Sequence, residues 1–336
     1  MKQDKRIMAL FGLLLLSTVG HAGSDLSREV YVAVRAYAGE QHALQKWGPT
    51  LAYLNQALPD HHFSMIPYTD IKQELADARA NRFHFLLTNP ATYVELEVST
   101  GARAMLTLIN NRRGTPQTRF GSVIFTHVDN TDIIQLRDLR DKHFMAVTPM
   151  GFGGWRVGLK VLLEQGIEPD KDFASLSFAG NQTRVVDAVL AKKVHAGMVR
   201  TDMLERLADT GKLDLRKLRI LNQRHTENFP FFHSSPLYPE WPFTAMANTD
   251  RQLAAAVKLA LLQLDKQHPA ARAGRYMGWT EAQDYQAVKI LMAELGIEPF
   301  AKNRTGQKFL LYVMLPLVSL LVAFYFFRRY SYETTD

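Results

Sequence analysis

The 336-residue sequence contains no cysteine. That absence removes disulfides, thiol nucleophiles and thiolate metal sites together. The short motifs of common enzyme chemistries are missing too: no H-E-x-x-H pair, no G-x-S-x-G nucleophile turn, no G-x-G-x-x-G spacing and no phosphate loop ending in Lys-Ser/Thr. Eleven histidines are present, but His61-His62 and His84 show no metal-ligand spacing and read as surface or satisfied core residues. No motif for reading RNA or DNA occurs either. Neither an enzyme nor a metal, cofactor or nucleic-acid partner is expected.

What is present is a globular composition, 47% hydrophobic and 22% charged. The formal net charge of +7 is concentrated near the ends, in Lys2, Lys5, Arg6, Lys302, Arg304, Lys308, Arg328 and Arg329. Basic residues beside apolar segments indicate membrane topology before nucleic acid. Residues 1–22 read as a secretory signal, with a basic start, a short apolar stretch at 7–16 and the small-residue site Gly20-His21-Ala22. An uncleaved signal anchor is the competing reading, disfavoured because the apolar stretch is short for a span. Residues 309–327 carry no charge and are closed by Arg328-Arg329, so they are expected to form a transmembrane helix. Residues 301–308 would be a linker and 328–336 a cytoplasmic tail too short for an output domain. Residues 23–300 are then a periplasmic domain anchored in the inner membrane.

Inside that domain the pattern is α/β. Residues 30–34 form a β-branched run followed by the turn Tyr37-Ala38-Gly39-Glu40. Ala43, Trp47, Leu51, Leu54 and Leu58 make a helical stripe, expected to break or kink at Gly48-Pro49. Residues 83–87 read as a buried strand ending at Thr88-Asn89-Pro90, with proline at a helix's first turn. Asn110-Asn111-Arg112-Arg113-Gly114 reads as a polar turn with solvated arginines. Repeated βα units predict a mainly parallel sheet with helices on both faces. Residues 227–242, with four prolines and many aromatics, read as an extended crossing segment, and Met277-Gly278-Trp279 as a turn.

The most informative stretch is 144–155, an apolar run entering Thr148-Pro149-Met150-Gly151-Phe152-Gly153-Gly154-Trp155 and then an amphipathic segment. Strand, tight turn and helix N-terminus follow one another, glycines let a ligand approach the backbone, and a helix's first N–H groups have no intrahelical partner. Alone, such a turn is more often a connection than a binding wall.

Together, Tyr37-Ala38-Gly39-Glu40, Leu87-Thr88-Asn89-Pro90, residues 147–155 and residues 197–202 resemble the phosphonate-type (phosphate, phosphite, phosphonate) substrate-binding proteins of ABC transporters. Residues 118–125 and 237–242 are similar to the branch that serves as periplasmic sensor domain of histidine kinases. The resemblance covers nearly all of residues 28–299. It implies a two-lobed, type II-like binding protein, one lobe about 23–119 plus 231–299 and the other about 120–230, with hinge strands near 121–125 and 228–232. Ligand would sit between the lobes, and lobe closure would be read by an ABC permease or a separate sensor kinase. Thr88 and Asn89 would face the cleft from one lobe, and Thr148, Gly151, Phe152, Gly153, Asn181, Gln182, Arg200 and Thr201 from the other. Helix N-termini, hydroxyls and amides suit a small anion such as a phosphonate, a phosphate-like oxyanion or a carboxylate. Tyr37 and Trp155 would wall an organic part or fill the core. Two other classes stay open, a hydrolase and a ligand-independent interaction module or partner subunit of a signalling complex.

Overall fold

The computed structural model describes residues 28–297, 299–300 and 322. The expected signal peptide and, Val322 apart, the expected membrane span lie outside these residues. Among the described residues no helix is long and apolar enough to cross a membrane.

Two sheets form two lobes. In the first, the strand order is Tyr276–Glu281, Arg103–Arg112, Pro242–Ala245, Phe85–Leu87, Arg28–Arg35, His61–Tyr68, with Thr115–Gln117 paired to Arg103–Arg112. In the second it is Leu218–Leu221, Ser122–His127, Ala196–Arg200, His143–Ala146, Ser175–Phe178. The period-2 alternation of strand side chains feeds a core on each face. Val32 and Val34 join the layer under the helices Glu40–Ala57 and Arg251–Leu262, whereas Ala33 joins the opposite layer with Leu75 and Leu96. Ile124 and Met198 face one layer of the second lobe, Val123 and Val199 the other.

The sheets are mixed rather than mainly parallel. Arg28–Arg35 runs parallel to both its neighbours, and His143–Ala146 does likewise, but Pro242–Ala245 and Ser122–His127 are antiparallel to theirs. These two are the strands entered directly from the other lobe, so they arrive against the βα direction.

The chain passes between lobes through a short ribbon in which Arg119–Phe120 pairs antiparallel with Tyr238–Pro239. The return crossing therefore follows residues 228–232, which lie in a hairpin of Arg224–Thr226 with Phe229–His233. An apolar cluster also joins the lobes, with Phe152 and Val157 packed among Tyr93, Tyr285 and Leu291.

Three local expectations change. The helix Glu40–Ala57 continues through Pro49 without a break. The hydrogen bond lost there costs stability, but Trp47, Leu51 and Leu54 are anchored in the core on both sides of it. Residues 277–279 belong to the strand Tyr276–Glu281, where Gly278 at φ 139° absorbs a register shift. Asn110, Asn111 and Arg112 end a ten-residue strand, and the turn is confined to Arg113-Gly114.

Candidate functional site: a cavity between the lobes

A cavity of about 300 Å³ lies between the lobes. Tyr37, Ala38, Asn89 and Trp241 line it from the first lobe, and Phe120 from the crossing ribbon. The second lobe contributes the turn from Val147 to Gly154, the helix start from Gly180 to Thr183, and Arg200, Met203 and Arg206.

The second-lobe wall is built from two helix N-termini. Gly151 N–H donates to Thr148 O at 3.0 Å, closing the turn after the strand His143–Ala146. Phe152–Arg156 then forms one wide π-type turn before Val157–Glu164, with Arg156 N–H donating to Gly151 O at 3.0 Å. The N–H groups of Phe152, Gly153 and Gly154 precede the first intrahelical bond and border the cavity. Gly153 is glycine for a packing reason as well: a Cβ there would lie 2.8 Å from the Phe120 ring and 3.1 Å from Arg200 Cβ. The second helix, Gln182–Leu190, is capped by Asn181, whose Oδ1 accepts from Arg184 N–H at 2.9 Å. Gln182 and Thr183 thus keep uncommitted N–H groups at the cavity edge, where the helix dipole favours negative charge. Gln182 spends its own Oε1 on Arg200 N–H, at 3.0 Å.

In the first lobe Asn89 caps the helix Pro90–Thr100. Its Oδ1 accepts from Ala91 N–H at 2.9 Å and Thr92 N–H at 3.2 Å. Its Nδ2 donates to Tyr37 Oη and to Thr92 Oγ1, both at 2.8 Å. The amide is fully engaged, so Asn89 acts on the cavity by holding Tyr37. The Tyr37 ring packs edge-on to Trp241 at 5.6 Å and lies 5.1 Å beneath the Arg35 guanidinium. Burial of its hydroxyl raises its pKa, with Arg35 opposing. The phenol stays protonated and can donate.

Arg200 sits in a buried ionic network at the crossing. Its Nη2 donates to Glu240 Oε1 at 2.7 Å, its Nε lies 3.3 Å from Asp202 Oδ1, and its guanidinium stacks 4.2 Å over Phe120. Burial would raise the Glu240 pKa, but Arg200 and Arg112 outweigh it and hold the carboxylate ionised. For Arg200 the same balance runs the other way: burial would lower its pKa, and Glu240 and Asp202 raise it. Arg206 reaches Asp202 Oδ2 at 3.1 Å and borders the same cavity.

The structure brings together Tyr37, Asn89, Thr148, Gly151, Phe152, Gly153, Asn181, Gln182 and Arg200. It leaves out three expected residues. Trp155 is buried in the second-lobe core, edge-on to Phe178 at 5.4 Å. Thr201 is buried, with Oγ1 accepting from Gly121 N–H at 3.2 Å, and so braces the crossing. Thr88 is fully buried behind the wall, beside Glu74, whose pKa burial raises to about 7 against the opposing pull of Thr88 and Arg35. Phe120, Trp241, Met203 and Arg206 were not singled out by sequence. Arg112, expected in a solvated loop, is largely buried, 3.3 Å from Asp202.

The comparisons with known proteins agree with this geometry. The sequence matches, over residues 32–287, the family described as ABC transporter, phosphonate, periplasmic substrate-binding protein. It is 32% identical over 232 residues to the tetrathionate sensor histidine kinase TtrS of Salmonella typhimurium, covering 68% of this chain and 38% of the kinase. The chain therefore spans well under half the length of that relative. Two solved structures share the fold at low identity. PhnD1 from Prochlorococcus marinus, in complex with methylphosphonate, has a TM-score of 0.65 at 12% identity, covering 80% of this chain and 99% of that one. XAC2383 from Xanthomonas citri, bound to ATP, has a TM-score of 0.63 at 17% identity, covering 79% and 95%. By its family match and its two-lobed fold, this chain belongs to the phosphonate-type periplasmic substrate-binding proteins of ABC transporters.

Proposed function

We propose that the protein captures a small anionic solute between its lobes and passes the resulting closure to a separate partner, as an envelope sensor component. The observation that carries this reading is the single cavity wall in which two helix N-termini meet Arg200 and Arg206, opposite the aromatic pair Tyr37 and Trp241. Unpaired backbone N–H groups and guanidinium ions favour an oxyanion, and the aromatic side accepts a less polar body. A volume of about 300 Å³ lies within the range of small-molecule pockets.

Identity to a kinase named for tetrathionate favours a sulfur oxyanion as ligand class and sensing as the use. The transporter family favours uptake of a phosphonate or phosphate-like solute as the second reading. In either case residues 309–327 would anchor the domain, and a kinase or a permease would be the partner. The test is thermal unfolding of the full chain with tetrathionate, thiosulfate, sulfate, methylphosphonate and phosphate. A ligand present at 100 times its Kd adds about 2.7 kcal/mol to stability. Stabilisation by tetrathionate above the phosphorus anions supports sensing of a sulfur oxyanion, and the reverse order supports the uptake reading. No stabilisation by any of the five overturns the cavity as a ligand site and leaves an interaction module.

A further inference from the structure

A second cavity, of about 310 Å³, opens where the lobes meet, lined chiefly by His42, Lys46, Asn110, Arg112, Arg206 and Arg275. It shares only Arg206 with the first. Among the described residues none of its lining groups is a carboxylate, while Lys46, Arg112, Arg206 and Arg275 bring positive charge. Lys46, Arg112 and Arg275 come from the first lobe, Arg206 from the helix Met203–Asp209 of the second.

The acids behind the wall do not neutralise it. Asp202 and Glu240 face three guanidinium groups, those of Arg112, Arg200 and Arg206, so one positive charge is left over before Lys46 and Arg275 are counted. Arg112 is the loosest member of that network. Its contacts are 3.3 Å to Asp202 and 4.0 Å to Glu240, and its Nε, like those of Arg200 and Arg206, is buried with no hydrogen-bond partner among the described residues. A planar guanidinium with spare donors in a like-charged cavity is the arrangement that two-pronged oxyanion recognition uses. Lys46 shows the same imbalance: burial, then Arg112, lower its pKa to about 7. An incoming anion would offset the repulsion from Arg112 and so favour the charged form of Lys46.

We infer that this cavity is a second anion site, taking a small multivalent oxyanion of the sulfate or phosphate class that bridges Lys46, Arg112 and Arg275 of one lobe to Arg206 of the other. An anion there opposes separation of the lobes. The inference rests on the charge of this lining and not on what the first cavity binds.

The probe is inorganic sulfate, titrated calorimetrically into the full-length chain at constant ionic strength. Lys46→Gln with Arg275→Gln should weaken one sulfate-binding event by at least about ten-fold, the scale of one lost charge-assisted hydrogen bond. Arg275→Gln alone, at an exposed side chain, guards against a folding defect and should weaken the same event. Tyr37→Ala with Trp241→Ala, at residues that line the first cavity and not the second, should leave that event intact. If sulfate binds once and the basic-cavity variants abolish it, the second site stands and the first cavity needs another ligand. No sulfate binding, or binding unchanged in Lys46→Gln/Arg275→Gln, overturns the second site whatever becomes of the first.

Discussion

Glu240 is the residue whose removal should change the molecule most informatively. It is fully buried, and its Oε1 accepts from Arg200 Nη2 and Asn110 Nδ2, both at 2.7 Å. Its backbone N–H donates to Thr118 O at 2.8 Å and its carbonyl accepts from Tyr285 Oη at 2.8 Å, so the side chain is held at the crossing between lobes. Glu240→Gln keeps the shape and one acceptor but removes a charge, leaving three guanidinium groups against Asp202 alone. Removing one partner of a buried ion pair costs about 3–5 kcal/mol, and the retained acceptor puts this substitution at the lower end, about 3 kcal/mol. At about 2–4 °C per kcal/mol for a domain of this size, Tm should fall by about 6–12 °C without anion. The freed guanidinium groups should then bind sulfate more tightly, so saturating sulfate restores more stability to the variant than it adds to the parent. Urea unfolding followed by tryptophan fluorescence, with and without sulfate at constant ionic strength, measures both effects. A loss below about 1 kcal/mol, the level of an exposed ion pair, or equal stabilisation of both proteins by sulfate, would refute Glu240 as the charge that holds these guanidinium groups.

Trp155→Ala should destabilise the fold by about 3–5 kcal/mol, as for other large buried aromatics, while the folded fraction keeps its ligand affinity. A large affinity loss at unchanged stability would put Trp155 back in the cleft. Glu74 gives a pH signature: its folded pKa is raised from 4.5 to about 7, so between those values the native state holds the extra proton and stability falls as pH rises. The fall is on the order of 3 kcal/mol, and Glu74→Gln should flatten it in denaturation curves from pH 4 to 8. An unchanged slope would assign the effect elsewhere. Gly153→Ala brings a Cβ within 2.8 Å of the Phe120 ring, so it should lower stability and ligand affinity together. Affinity loss alone would mean that the glycine serves ligand approach only, and no change in either would remove the turn from the site.

The fold was legible where local pattern and tertiary role coincide. The run at 30–34 and the cap-plus-proline signal of Asn89-Pro90 depend on neighbours in sequence, and both stand as expected. Arg112 failed because its partners, Asp202 and Glu240, lie far away along the chain, while its neighbours Asn110, Asn111 and Gly114 carry turn chemistry. Trp155, left open between cleft and core by the sequence, packs in the core for a geometric reason. An ordinary helix start would set the side-chain directions of residues 152–156 by a period of 3.6, but the wide turn at Phe152–Arg156 shifts them. Phe152 lines the cavity and Trp155 enters the core. Arg206 and Met203 look like an ordinary helix surface until the crossing folds that helix start against the other lobe.

Phe120 joins these observations into one mechanical unit. It belongs to the ribbon by which the chain leaves the first lobe, and it lines the cavity. Its ring packs edge-on to Phe152 at 5.7 Å and lies under the Arg200 guanidinium at 4.2 Å. A ligand that draws in the Thr148–Gly154 turn or pulls on Arg200 would therefore move against the side chain of a crossing residue, beside which Gly153 leaves no room for a Cβ. Close-packed contacts of this kind shift between discrete arrangements rather than yielding continuously. Ligand occupancy and lobe angle then share a residue, which is what a binding protein needs if its partner reads shape and never touches the ligand.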